Sequence, residues 1–250
     1  MNPQITHAKM SEIPPHLNYE LKNYQSQRIH QAMRQAICSS VRLVLEQTNQ
    51  QSISILDVGC GRGELLQSLV QIPHVSVQGI DLDPTCVELS SQFASCRVGS
   101  VEALDQYYSP ESFDLVIASH VLEHVTNPTI ALLQLASVSR NWVLIALPNP
   151  VRPSRLLQYL KGKVHADHPT HCQVWDPGHL ANFIETFGHL KIYQWQPDIV
   201  TVIPGRFLSV PLLRFILKHL SLAETTLLTR LFPLFSSSLI VLSTKHRDYG

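Results

Sequence analysis

Apolar residues recur along the chain in two rhythms. From Asn18 to about Gln47 they fall near a 3.6-residue period (Leu21, Tyr24, Ile29, Met33, Ile37, Val41, Val44, Leu45), which predicts one long helix. From Ile53 onward, short strand-like segments alternate with helical stretches. The runs at Ile53–Val58, Val75–Leu82, Cys96–Val101, Phe113–Ser119 and Trp142–Leu147 predict strands, and the Asp-Leu-Val-Ile-Ala sequence from Asp114 suits a strand buried on both faces. Helices are expected at Glu64–Val70, from Pro84 with Asp83 as its cap, and at Pro128–Val138. Strands alternating with helices imply a parallel sheet with right-handed crossovers.

Past Pro150 the rhythm loosens. A short helix is expected at Arg155–Leu160, then a loop at Lys161–Trp175 that holds His165, His168 and His171. Asp176-Pro-Gly opens a further helix that ends at Gly188. Leu190–Trp195 and Leu239–Thr244 read as the last two strands. The whole predicts an α/β fold, a seven-stranded and mostly parallel sheet with helices on both faces. Its organisation is a tail and helix at residues 1–50, a core at 51–198, a hydrophobic helical insertion at 199–236, and a last strand and tail at 237–250.

The insertion is rich in Leu, Ile, Val and Phe, with Arg206, Arg214, Lys218 and Arg230 set against Glu224. Arg214, Lys218 and Ser221 share a helical face opposite Val210, Leu213, Leu217 and Leu220. Such a basic amphipathic segment suits peripheral contact with a membrane or a cap over a hydrophobic substrate. A helical hairpin packed on the sheet, or on a second copy in a homodimer, fits the same pattern.

Composition narrows the classes. With 250 residues, 44% hydrophobic, the chain can bury a full core. Its zero net charge gives no phosphate-tracking surface, so nucleic acid is not an expected partner. Five cysteines without a CxxC pair point to reduced thiols and a cytoplasmic setting. The first residues show no basic stretch followed by an apolar core, and no apolar run reaches the length of about 18 residues that a spanning helix needs.

Candidate chemistry begins at Asp57-x-Gly59-x-Gly61-x-Gly63, between a strand end and a helix start. Glycine there lets the backbone close on a ligand, and the following helix offers free N–H groups. A dinucleotide fingerprint would need its third glycine where Glu64 stands, so a nicotinamide or flavin is disfavoured. Asp81, in Gly79-Ile-Asp-Leu-Asp-Pro, ends the next strand and suits two hydroxyl donors.

This pair of motifs resembles class I S-adenosylmethionine (SAM)-dependent methyltransferases, which have a Rossmann-like fold. Phe113-Asp-Leu-Val, Val121-Leu-Glu-His-Val and Asn127-Pro bring the likeness toward the ubiquinone-pathway O-methyltransferases and the MetW-like group. The resemblance runs from about Ile53 to Trp195. It implies SAM as cofactor, with S-adenosylhomocysteine (SAH) as product, held by Asp57, Gly59, Gly61, Gly63, Asp81, Leu82, Ser100 and Val101. Related enzymes often carry Asp where Ser100 stands. The acceptor implied is a small, hydrophobic molecule methylated on oxygen, with Tyr24 and Trp175 against it. A SAM-binding regulatory protein without turnover is the alternative.

For the acceptor's proton, His120, His124 and His171 are the candidate bases. His120, Glu123 and His124 would share one turn if that segment is helical, and with His171 they form an alternative ligand set for a divalent metal. The reading adopted assigns no metal. The counter-reading for Glu123 and His124 is that they merely begin the helix after strand four.

Overall fold

A computed structural model of the chain describes residues 24–48, 50–162, 170–200 and 227–245, with the side chains of residues 24–26 excepted. The expected tail, Tyr19, the side chain of Tyr24, His165, His168, and Arg206, Arg214, Lys218 and Glu224 of the insertion lie outside the described residues.

The long helix is α1, Tyr24–Thr48. Its Ile37, Val41 and Val44 are fully buried and pack on one face of the sheet. Then β1 (Ile53–Val58), α2 (Glu64–Leu69), β2 (Val75–Asp81), α3 (Pro84–Ser90), β3 (Ser95–Val98), β4 (Phe113–Ser119), α4 (Pro128–Val138) and β5 (Ser139–Pro148) follow in turn. The chain continues through α5 (Pro153–Leu160), α6 (Pro177–Asn182), β6 (Leu190–Trp195), the single turn α7 (Thr229–Leu231) and β7 (Ser238–Lys245).

The seven strands are ordered β3-β2-β1-β4-β5-β7-β6. Strands β1 to β5 pair in parallel, while β7 runs antiparallel between β5 and β6. Alternation along each strand builds two cores. Leu56, Val116 and Ala118 face α4 and Ile184, whereas Ile55, Leu115 and Ile117 face α1 and Leu69 of α2.

Some boundaries differ from the expectation. Strand β3 stops at Val98, because Ser100 caps a 3-10 turn, Val101–Gln106, by accepting from Glu102 N–H. Strand β5 starts earlier, at Ser139, where Ser139 Oγ donates to the Trp142 carbonyl. Helix α6 passes into a π turn at Phe183–Phe187 before Gly188 ends it. The caps read from sequence are present: Asp83 accepts from Thr85 N–H, and Asp176 from Gly178 and His179 N–H.

Among the described residues, no helix is long and apolar enough to cross a membrane.

Candidate active site

The C-terminal ends of β1, β2, β4 and β5 carry the site, as expected where crossovers leave a parallel sheet. After β1, Gly59, Gly61 and Gly63 all take positive φ, at 70°, 53° and 83°. A Cβ on Gly59 would collide with Val121 Cγ2 at 2.4 Å. One on Gly61 would meet nothing within 4 Å, so this stretch of backbone borders open space.

Asp81 ties the turn down. One oxygen accepts from Gly61 N–H at 2.7 Å and the other from Asp83 N–H at 2.9 Å. A carboxylate has about four acceptor positions, so the ribose contact expected of Asp81 remains available to it. Leu82 stands exposed beside it, Val101 is buried in the core, and Ser100 serves as the cap already described. Of Val101, only the backbone is therefore offered to a ligand.

Asp57 is 1% exposed, and its Oδ2 has no hydrogen-bond partner among the described residues. Burial, with the charge of Asp81 second, pushes its carboxyl up to about 8. A buried acceptor without a donor is a place for a cationic ligand group. Asp57 and the glycine turn line a cavity of about 310 Å³, closed on its other side by Met33 and Arg34 of α1 and by His120. Arg34 is bound across the gap to Glu64 at 3.1 Å.

The segment after β4 departs from expectation. Residues 122–124 form a turn rather than helix, and α4 begins only at Pro128, where Asn127 caps it by accepting from Ile130 N–H. The bend starts at His120, whose φ of 58° lies in the left-handed region and whose N–H donates to the Ala146 carbonyl. His120 thus turns toward the cavity of Asp57, with Nδ1 3.4 Å from Glu123 Oε1 and its ring against His30. Burial first, then the neighbouring His30, lowers its pKa to about 3, so it is neutral and weakly basic at pH 7.

Glu123, 2% exposed, lines a second cavity of about 150 Å³ while its carboxylate stays beside His120. Its carbonyl accepts from Cys172 and Gln173 N–H, which pins the 170–173 segment to the turn. That pairing brings His171 beside His124, ring centroids 4.7 Å apart. Thr170 Oγ1 lies 2.8 Å from His124 Nδ1 and orients that ring. Glu123, His124 and His171 present ligand atoms within 4.8 Å of one another, and His120 is not in that group. Trp175 lines the same cavity and stacks on Phe183, combining pocket and core roles. Tyr24 begins α1, and nothing is described of its side chain.

Residues 25–192 match the methyltransferase-domain family. The chain belongs to that family. The mitochondrial ubiquinone biosynthesis O-methyltransferase of Saccharomyces cerevisiae is 30% identical to it over 125 residues, 46% of this chain and 38% of that protein. The ubiquinone biosynthesis O-methyltransferase of Xanthomonas euvesicatoria pv. vesicatoria is 38% identical over 91 residues, 34% of this chain and 37% of that protein. The chain thus covers well under half the length of these relatives. Among solved structures, magnesium protoporphyrin IX methyltransferase from Synechocystis PCC 6803 with bound SAH aligns over 90% of this chain and 88% of its own. Its TM-score is 0.61 at 16% identity, which shows a shared class I methyltransferase fold.

In this methyltransferase domain, sequence reasoning passed over His30, Met33, Arg34, Arg152 and Arg155. The first three lie one turn apart on α1, and a polar residue on a core-facing stripe was the available signal. The two arginines follow Pro150, with no motif around them to mark burial.

Proposed function

We propose that the chain is a SAM-dependent methyltransferase that methylates an oxygen of a small, apolar or lipid-like acceptor. The observation that carries this reading is the turn at residues 119–124, which walls two cavities. His120 borders the one with Asp57 and the glycine turn, and Glu123 borders the one with His171 and Trp175. Methyl transfer is an in-line displacement, so the acceptor oxygen must reach the methyl carbon directly, on the side away from the sulfur, where the two cavities adjoin. The relatives named as O-methyltransferases of ubiquinone biosynthesis support oxygen as the receiving atom.

SAM, when bound, supplies an electrophilic methyl group on a sulfonium. We assign Asp57 to the ammonium of its methionine portion, Asp81 to the ribose hydroxyls, and Leu82 with the backbone of Ser100 and Val101 to the adenine side. Met33 and Arg34 of α1 line the donor cavity beside these groups. The acceptor's proton goes to His124 or His171, with Thr170 orienting the first; His120, weakly basic, shapes the donor wall instead.

One carboxylate and two imidazoles also fit a first-row divalent cation, which would be held by Glu123, His124 and His171 and would acidify a hydroxyl bound there. Loss of methyl transfer on chelation, restored by Mg, Mn or Zn, supports the metal reading; indifference to chelation leaves the histidine base.

Exposed Leu157 and Leu160 on α5, with Leu231, Phe232 and Leu234, support contact of this rim with an apolar acceptor tail or a membrane surface. Vesicle flotation with these five replaced by serine checks this, and equal behaviour of both proteins argues against it.

Calorimetry with SAM tests the donor assignment. Asp81→Ala should weaken binding by about 2 kcal/mol through lost charge-assisted hydrogen bonds. Unchanged affinity removes Asp81 from the ribose.

A further inference from the structure

Two thiols meet beside the donor turn. Cys60 stands between Gly59 and Gly61, and Cys96 lies on β3, an edge strand of the sheet, opposite Gly79 of β2. A Cβ built on Gly79 would meet Cys96 Sγ at 2.7 Å, Cys60 Sγ at 2.9 Å and Leu66 Cδ1 at 3.1 Å. Both sulfurs therefore close on one point, and glycine puts no side chain between them. Both thiols are free. Cys60 Sγ donates to Ser90 Oγ at 3.5 Å and Cys96 Sγ to the Ala94 carbonyl at 3.4 Å, and a thiol is a weak donor.

The two differ in access. Cys60 is buried, and burial first raises its thiol far above the ordinary value, so it is not the sulfur that an oxidant attacks. Cys96 is half-buried, on a strand of four residues that pairs on one side only. Cys86 of α3 turns toward Asp83, with Sγ 3.7 Å from Oδ2.

Both segments hang from the end of β2 that carries Asp81. Gly59 and Cys60 N–H donate to the Ile80 carbonyl at 2.8 and 3.2 Å, and Gly99 N–H, just past β3, donates to the Asp81 carbonyl at 2.9 Å. A disulfide needs its sulfurs about 2 Å apart. Closing this pair moves either the glycine turn, assigned to the methionine portion of SAM, or the end of β3, which leads to Ser100 and Val101 on the adenine side.

We propose that a peroxide converts Cys60 and Cys96 into a reversible disulfide, and that this bond lowers the affinity for SAM. The peroxide O–O bond breaks as Cys96 becomes a sulfenic acid, with release of one water. The Cys60 sulfur then attacks it: the S–O bond breaks, the S–S bond forms, and the thiol proton leaves with the hydroxyl as a second water. Two thiols are oxidised and one peroxide is reduced. The inference rests on the reading of the glycine turn as the donor site. Coupling is reciprocal, so bound SAM favours the dithiol; a tenfold loss of affinity corresponds to a disulfide potential about 30 mV higher at saturating SAM.

The test treats the reduced protein with hydrogen peroxide, removes the excess with catalase, maps unreduced peptides by mass spectrometry and measures SAM binding by calorimetry. A Cys60–Cys96 peptide pair is expected, with SAM bound about tenfold or more weakly and full affinity restored by dithiothreitol. Cys96→Ser and Cys96→Ala should bind SAM as the unaltered protein does and show no such reversible loss. Saturation with SAM before peroxide should slow formation of the pair, a readout in the unaltered protein that stands even if the variants fail to fold. Absence of the pair, pairing of Cys60 with Cys86 instead, a pair that leaves SAM affinity unchanged, or a dithiothreitol-reversible loss that persists in Cys96→Ser overturns the proposal. Reduced protein that does not bind SAM counts against the donor reading itself, whereas binding of SAM without the peroxide-formed pair counts against the thiol switch alone.

Discussion

Asp57 is a carboxyl whose protonation should report on the donor. Its folded pKa of about 8 lies above the ordinary 3.8, so the native state holds the proton more tightly than the unfolded chain does. Its contribution to stability is complete below about pH 4 and is lost as pH rises toward 8. The ligand-free protein should therefore lose stability across that window, and Asp57→Asn should flatten the loss; denaturant titrations from pH 5 to 8 check it. A cationic ammonium beside Asp57 favours the carboxylate, so SAM binding near pH 7 should release protons, seen as binding heats that vary with the ionisation enthalpy of the buffer. Asp57 was legible as a candidate because the acid and its three glycines alternate along one short stretch of the chain. His120 was harder to read, since its left-handed backbone, which turns it toward the cavity of Asp57, has no glycine to announce it.

At the level of elements, a single acid joins the middle of the sheet. Asp114 opens β4 and accepts from both the N–H and Oγ of Ser54 in β1, with Arg140 of β5 bound to its other oxygen. Burial alone would raise its pKa, but the Ser54 hydrogen bonds and the Arg140 guanidinium carry it below the ordinary value. This stability is present above the unfolded pKa and is lost as pH falls through the folded one. Asp114→Ala should cost about 1–3 kcal/mol in chemical denaturation at pH 7 and lessen the acid sensitivity of the protein. A second element-scale prediction concerns Asn127. Its cap holds the start of α4, and so the exit of the active-site turn; Asn127→Ala should cost about 1 kcal/mol. The central strands were legible because short apolar runs such as that of β4, set between turn signals and helical stretches, suit a sheet covered on both faces. The turn at 122–124 was not, since Leu-Glu-His suits a helix by local preference and two tertiary bonds override it, Cys172 N–H to the Glu123 carbonyl and His120 N–H to the Ala146 carbonyl.

On the scale of the molecule, the sheet order puts the glycine turn after β1 beside the turn after β4, with β5 leading directly to the arginines of α5. The cavity beside Asp57 and the one beside Glu123 are therefore neighbours by topology, and the turn at 119–124 contributes residues to both. The alternation of strands and helices foretold this arrangement in outline. The gathering of Glu123, His124 and His171 depends on a pairing between segments nearly fifty residues apart, which no local pattern encodes. The proposed reaction is transfer of a methyl group to an oxygen in the cavity beside Glu123. Its most direct measurement is incubation of the protein with SAM bearing a deuterated methyl group and 3,4-dihydroxybenzoate, followed by mass spectrometry of the product. An O-linked deuterated methyl is expected, formed together with SAH and lost when His124 and His171 are both replaced by alanine. SAM binding with neither SAH nor labelled acceptor formed, across catechol acids and esters and with divalent metals supplied, would contradict it.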